Sequence, residues 1–325
     1  MTKFTRKKKS NATAILTADW HIRSDNPICR TDNFFEALEK KIDFILDLQK
    51  EHKCPILEAG DIGHKPQWQN WLLEWAINKF KGQEIIAICG QHDLPNHRLD
   101  LFEKSGTGVL TAAGVIQTMG ILLSEDKIIG CHLPSKSIIK KYGLHITPFP
   151  YGMEMKSLGW GKKYEMPDMP MIAMTHQMII ENKPLWPGQE APKGNSLLKK
   201  FPEYDLILSG DNHNSFVAEC QGRKLVNPGS LMRTTADQEN HRPRVYLWYA
   251  ETNEVEPIYL PIEKNVISRT HIDVAKEREN RNQAFIERVN NDVEIKLSYE
   301  NNIEAYFNKY RTEKPIKEKV WESVE

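Results

Sequence analysis

The sequence predicts an α/β fold of mixed α+β character, in which a sheet packs on a sheet, helices flank the sandwich and a small C-terminal module follows. Three observations predict it. Short apolar runs ending in polar clusters recur as ATAILTADWH, CPILEAGD, EIIAICGQHD, MIAMTH and DLILSGDNH. Amphipathic helical patterns separate the first three runs, giving the β-α-β-α-β order of a sheet with parallel strands. Hairpin patterns follow the last run, and these make the architecture mixed.

Taken in order, ATAILTAD reads as a buried strand whose end carries Asp19 and His21. Phe34, Leu38, Ile42 and Ile45 then share one helical face, with Asp32 or Asn33 as N-cap. CPILEAGD is the second strand and ends on Asp61. Trp68, Trp71, Leu72, Trp75 and Ala76 recur at helical spacings, so this stripe reads as packing rather than as a base-stacking platform. EIIAIC ends in Gln91, His92 and Asp93, three polar side chains that a core would reject. MIAMTH and DLILSGDNH add His176, Asp211 and His213 at further strand ends. Between them, NKPLWPGQEAPKGNSLLKK carries Trp186 and several lysines, and reads equally as an active-site loop or a surface excursion.

SFVAECQGRKLVNPGS is a hairpin turning at Gln221 and Gly222, and RVYLWYAETNEVEPIYLPI another turning at Thr252 and Asn253. From Lys264 the composition becomes polar and helical, with Ile286, Val289 and Val293 on one face before an extended KLSYENN. The chain therefore divides into residues 1–263 and a small C-terminal DNA- or partner-binding region, 264–325.

The 325 residues suffice for a large domain and a smaller one, and 44 Lys and Arg balance 44 Asp and Glu. No global field draws the chain to a polyanion, so any such site is local. MTKFTRKKKS is basic but is followed by a strand-like run rather than the apolar stretch of an export signal. No apolar run approaches the roughly 18 residues of a membrane span. Cys29, Cys54, Cys89, Cys131 and Cys220 are scattered and lack C-x-x-C spacing, which suits a reducing compartment and argues against a cysteine metal site. A cytoplasmic protein without a membrane partner is expected.

Any one of these carboxylates or imidazoles has a structural explanation as a cap, a turn or a core residue. Five strand ends in succession are another matter, because unpaired buried charges are costly and divalent ions remove the cost. Histidines and carboxylates without thiolates suit Mn²⁺, Fe²⁺ or Zn²⁺. In an extended segment, D-x-H puts Asp19 and His21 on one side, and Asp211 and His213 likewise. His64, His97 and His132 lack completing partners in this pattern and read as surface or core histidines.

The order DWH, GD, GQHD, TH, GDNH resembles the calcineurin-like metallophosphoesterase pattern D-x-H, G-D, G-N-H-D, H, G-H-x-H. Within that superfamily, NPGS (Asn227 to Ser230) and the region after it are most similar to SbcD-type DNA exonuclease subunits, including those of bacteriophages. The resemblance implies an αββα two-sheet sandwich with two divalent ions at the strand ends. It gives one ion to Asp19, His21 and His213, the second to Gln91, His176 and Asp211, and makes Asp61 the bridge. His92 would face the scissile phosphate, stabilising charge or protonating the leaving oxygen, with Asp93 holding its ring.

This chain departs from the pattern at Gln91, where the family has Asn, and at Asp211, where it has His. Both keep an oxygen donor, and the more anionic set favours Mn²⁺, or Mg²⁺, over Zn²⁺. The resemblance implies a DNA nuclease of replication, recombination or repair, homodimeric, paired with an SbcC-like ATPase, and in a host cytoplasm if phage-encoded. Two alternatives are a phosphatase or phosphodiesterase on small molecules or phosphoproteins, and a non-enzymatic scaffold. Neutral overall charge favours the first, and retention of His92 and of a donor at every metal position opposes the second.

Overall fold

A computed structural model describes residues 11–120, 123–124, 127–128, 140–157, 169–297 and 299–324. The basic N-terminal run, His132 and the side chain of Val293 lie outside the described residues. Contacts group the chain into one unit up to Ile267 and a second, Ser268–Glu325.

In chain order the strands are β1 (Ala14–Thr17), β2 (Ile56–Glu58), β3 (Ile85–Ala87), β4 (Gln117–Thr118), β5 (Leu123–Ser124), β6 (Lys127–Ile128), β7 (His145–Phe149), β8 (Met171–Thr175), β9 (Leu206–Ser209), β10 (Phe216–Cys220), β11 (Arg223–Asn227), β12 (Arg244–Tyr249) and β13 (Glu254–Tyr259). The first unit's helices are α1 (Phe34–His52), α2 (Asn70–Phe80), α3 (Gly106–Ala112) and α4 (Gly194–Lys200). One sheet has the order β13-β12-β1-β2-β3-β4, with β1 to β4 parallel. The other has the order β10-β11-β9-β8-β7, with β7, β8, β9 and β11 parallel. A short β5–β6 ribbon stands apart from both.

Side-chain alternation along the strands builds the layers. Leu16, Leu57 and Ile86 of the first sheet pack with Ile172, Met174, Leu206 and Leu208 of the second, forming the middle of the sandwich. Their neighbours Ile15, Ile56 and Ile85 point the other way, onto Phe34, Leu38, Ile42 and Ile45 of α1. Ala173, Ile207 and Leu225 cover the opposite outer face with Leu197 and Leu198 of α4. The result is the expected two-sheet sandwich with helices outside. Asn33 is the N-cap of α1, its Oδ1 accepting from Glu36 N at 3.3 Å. Trp68 precedes α2 rather than lying on it, and Trp71 remains 46% exposed with its ring edge-on to Phe35. Both hairpins form where expected, β10–β11 and β12–β13.

The first unit runs slightly beyond Glu263 because Val266 is buried, Thr31 N donates to its carbonyl at 3.1 Å, and Ile267 bridges to Arg30. The second unit is helical, with α5 (Thr270–Leu297), α6 (Tyr299–Lys309) and α7 (Lys314–Glu322). The expectation of an extended KLSYENN is corrected, since Lys296–Leu297 end α5 and Tyr299–Asn302 begin α6. Lys, Leu, Glu and Tyr all tolerate helix, and no Gly or Pro interrupts them. Among the described residues no helix is long and apolar enough to cross a membrane.

Candidate metal centre

The centre grows from strand ends. Parallel pairing finishes β1, β2 and β3 at one edge of their sheet, and β8 and β9 at one edge of theirs, which is where open sheets of this kind hold ligands. Asp19 and His21 follow β1, Asp61 follows β2, Gln91, His92 and Asp93 follow β3, His176 follows β8, and Asp211 and His213 follow β9.

The backbone there is not extended. Asp19, His21, Asp61 and Asp211 have φ of 52°, 46°, 61° and 72°. This corrects the reading of D-x-H as two side chains on one side of a strand: β1 stops at Thr17, and the chain then turns left-handed at each ligand-type residue. Such φ values cost a non-glycine residue about 1–3 kcal/mol and persist only where the surroundings enforce them. Here the enforcement is a ladder between the loops, with Asp19 N donating to Gly60 O at 3.0 Å and His21 N to Asp61 O at 2.9 Å. Trp20, between them, is fully buried and donates to Thr17 Oγ1 at 2.8 Å.

The side chains converge. His21 Nε2 lies 3.1 Å from His213 Nε2 and 4.0 Å from Asp61 Oδ2. His213 Nε2 lies 4.0 Å from Asp19 Oδ1, and His176 Nε2 lies 3.3 Å from Asp61 Oδ2. Among the described residues, Asp19–His21–His213, Asp19–Asp61–His176 and His21–His64–His92 each bring donors within 4.8 Å of one another. His176 Nδ1 donates to Ala59 O at 2.6 Å, which fixes the ring and turns its Nε2 toward Asp61. Asp61 Oδ1 accepts from His92 N at 2.8 Å. A Cβ at Gly90 would lie 2.1 Å from that oxygen, so only glycine lets the bridge-position carboxylate sit here.

These residues fit divalent cations. Asp19 Oδ2, Asp61 Oδ2, Gln91 Oε1 and His176 Nε2 are buried without a hydrogen-bond partner, an arrangement that costs a folded protein unless an ion satisfies it. The 3.1 Å between His21 and His213 nitrogens matches the edge between adjacent donors of an octahedral ion with bonds of about 2.1 Å. Burial, with the Asp61 charge adding to it, pushes Asp19 up to about 8. Burial also works against ionised Asp61, but the facing His176, which the Asp61 charge raises well above the ordinary histidine value, outweighs it and holds Asp61 below its ordinary value. Burial depresses His21 and His213, leaving neutral rings able to ligate.

The two departures from the family pattern touch each other. Gln91 Nε2 donates to Asp211 Oδ1 at 2.6 Å, while Asp211 N donates to Asp19 Oδ1 at 3.1 Å. The extra methylene of Gln91 lets its amide reach Asp211, and its Oε1 is left buried with no hydrogen bond to accept, free to ligate an ion. Asp211 itself lies outside the three donor sets, and the set containing His176 is completed by Asp19.

The assignment of Asp93 as the residue holding the His92 ring is corrected. Asp93 Oδ2 accepts from the backbone N–H of Asp61 (2.9 Å), Ile62 (3.3 Å) and Gly90 (3.0 Å), and Oδ1 accepts from Gly63 N (2.9 Å) and Thr107 Oγ1 (2.9 Å). It ties the loop after β2 to the loop after β3. The His92 ring is held instead by the His64 carbonyl, 2.8 Å from Nδ1; a carbonyl only accepts, so Nδ1 carries the proton. His92 also stacks on His64 with ring centroids 5.6 Å apart and meets His21 edge-on at 4.9 Å.

His64 is the residue the sequence reading passed over. The parallel register Thr17↔Glu58 continues past the strand ends as Ile22↔Gly63, and this brings the next residue, His64, beside the D-x-H segment. The signal was there in the register, not in any motif. His97 is exposed and outside the donor sets. Asn227 of NPGS is buried and donates to the carbonyls of Asn212 (2.5 Å) and Asn214 (2.8 Å), so it props the His213 loop.

No protein of curated function matches the chain. Among solved structures it is similar to an archaeal phosphodiesterase, at 12% identity and TM-score 0.38, over 76% of this chain and 99% of that one. It is also similar to a Staphylococcus aureus protein assigned as a 5′-nucleotidase and solved with α-ketoglutarate, at 11% identity and TM-score 0.42, over 82% of this chain and 58% of the other. Residues 12–215, well over half the chain, match the family described as calcineurin-like phosphoesterase. With that match spanning every strand-end residue of the centre from Asp19 to His213, the chain belongs to the calcineurin-like phosphoesterase family, as a metal-binding hydrolase of phosphate esters.

Proposed function

We propose that this chain is a metal-dependent DNA nuclease of SbcD type, cleaving phosphodiester bonds in replication, recombination or repair. The observation that carries the reading is the pairing of two donor triads sharing Asp19 with a proton-bearing histidine, His92, on their rim. Asp19, His21 and His213 would hold one divalent ion, and Asp61, His176 and the Gln91 oxygen the other, with Mn²⁺ ahead of Mg²⁺ because three imidazoles stand beside three oxygen donors and Mg²⁺ takes oxygen ligands. Bound there, the ions supply Lewis-acid polarisation of the phosphoryl oxygens.

The protein's own residues do the rest. His64 O anchors Nδ1 of His92, leaving Nε2 for the substrate. As water oxygen adds to phosphorus and the P–O bond to the leaving group breaks, the imidazolium form of His92 gives that oxygen its Nε2 proton and keeps the Nδ1 proton on the His64 carbonyl, while the attacking water releases a proton to solvent. Asp93 keeps the loops bearing Asp61 and His92 in register. Resemblance in the NPGS segment and the presence of a separate helical unit after Ile267 support DNA over small substrates. Phe285, Ile286 and Val289 of α5 are exposed at 67%, 56% and 40%, and this apolar surface supports the reading of that unit as the part that meets an SbcC-like ATPase. A homodimer is part of the same reading.

The test incubates purified protein with labelled linear duplex and single-stranded DNA in Mn²⁺, with and without chelator, alongside Asp61→Asn. Chelator-sensitive cleavage that Asp61→Asn loses together with bound metal supports the reading. Hydrolysis of phosphomonoesters with no cleavage of DNA sinks it.

A further inference from the structure

A cavity of about 340 Å³ opens beside the donor cluster. Arg23 and Asp25, following β1, line one part of it; His64, Lys65 and Trp68, following β2, line another, and Leu72 of α2 joins them. The bridge Ile22↔Gly63 carries the β1–β2 register out to these residues, and His64 N donates to Ile22 O at 3.0 Å. His64 thus belongs both to the cavity lining and to the His21–His64–His92 set. The cavity adjoins the reacting centre.

Its lining has the marks of a formed anion subsite. Asp25 accepts from Nε of Arg23 at 3.0 Å and from its Nη2, which fixes the guanidinium plane and leaves Nη1 without a hydrogen-bond partner among the described residues. The Arg23 side chain is 14% exposed while that of Asp25 is 58% exposed, so the cation is sunk and its counter-ion lies nearer solvent. Lys65 adds a second, exposed cation. The indole wall is rigid as well. A Cβ at Gly63 or at Gly106 would come within 2.5 Å of the Trp68 ring, so two backbones clasp it, and Trp68 Nε1 is buried without a partner. A preformed wall lowers the ordering cost of binding.

We propose that this cavity is the subsite for the nucleotide adjoining the scissile phosphodiester, with Arg23 and Lys65 holding the next phosphate along the strand. The volume stands at the small end of ligand pockets, which run from about 300 to 1,000 Å³, and suits a single nucleoside. An aromatic wall with apolar neighbours takes a planar base, and the free guanidinium donors take an anion. This inference rests on the phosphodiesterase reading and deepens it: the preferred substrate has a phosphate on each side of a nucleoside, so isolated phosphomonoesters use half the site.

The test is calorimetric titration of the full chain in Mn²⁺ with thymidine 3′,5′-bisphosphate and with thymidine 3′- and 5′-monophosphate, repeated for Arg23→Ala and Lys65→Ala. The bisphosphate should bind about 10- to 100-fold more tightly than either monophosphate, the range expected for hydrogen bonds to a charged group. Arg23→Ala should remove most of that advantage and Lys65→Ala part of it. Lys65 is exposed, so its variant gives the readout even where Arg23→Ala is unstable. Equal binding of all three ligands, or an advantage that survives both substitutions, overturns the proposal. Hydrolysis of bis(4-nitrophenyl) phosphate by the unaltered protein is measured separately: its absence counts against the phosphodiesterase reading, while the titration still decides the pocket.

Discussion

Asp93→Asn separates two roles for the same carboxylate. Asp93 is fully buried, and five donors converge on it, from Asp61, Ile62, Gly63, Gly90 and Thr107. Burial raises it to about 6, so at pH 7 it is still the ionised, acceptor-only form that those donors require. Asn leaves one oxygen. Its least costly placement puts the amide nitrogen at Oδ1, where Thr107 can turn to accept but Gly63 N–H loses its acceptor. An orphaned buried donor costs about 1–3 kcal/mol, and the remaining bonds lose their charge assistance, so about 2–4 kcal/mol is expected in all. Asp93→Ala orphans four backbone donors for about 4–12 kcal/mol, which rivals the whole stability of an ordinary domain and should prevent folding. Urea unfolding of metal-free wild type and Asp93→Asn reads this directly, from midpoint and slope. An Asn variant within about 0.5 kcal/mol of wild type that nonetheless loses its rate would refute the reasoning and return Asp93 to the His92 ring.

His92→Asn should keep its fold and its bound metal, measured by elemental analysis, while phosphodiester turnover falls about 10²–10⁴-fold; loss of metal instead would make His92 a ligand. Lys41, buried in α1 with Met232 Sδ 3.3 Å from its Nζ, is lowered from 10.5 to about 8 by burial and then by Arg30 and Arg233. The folded state therefore binds this proton less tightly than the unfolded chain, so stability is lowest below pH 8 and rises toward pH 10.5. Lys41→Met should gain about 2–3 kcal/mol at pH 7 and flatten that rise relative to wild type, followed by urea midpoints at pH 7, 9 and 10. Truncation after Ile267 should leave the melting temperature of the first unit within a few degrees, whereas truncation after Glu263 should lower it, because it removes buried Val266 and the Arg30–Ile267 bridge. Equal melting temperatures for both truncations would place the boundary earlier.

The strands, the face of α1 and both hairpins were legible in the sequence because each depends on near neighbours: side-chain alternation, helical periodicity and turn residues act over a few positions. The residue types of the centre were legible for the same reason, since Asp19, His21, Asp61, Gln91, His92, His176, Asp211 and His213 each close a local apolar run. What each of them touches depends on loops that meet only after the sheets form. Asp93 reads locally as a neighbour of His92, yet its acceptors are taken by backbone donors some 30 residues away, at Asp61, Ile62 and Gly63. His64 has no motif, and it reaches the centre because a parallel register runs past the end of β2. Gln91 and Asp211 look like separate substitutions 120 positions apart, and the fold makes them one hydrogen-bonded pair. The left-handed turns at Asp19, His21, Asp61 and Asp211 are likewise held from outside: the first two by the ladder to the loop after β2, Asp61 by the Asp93 carboxylate, and Asp211 by the Asp19 carboxylate.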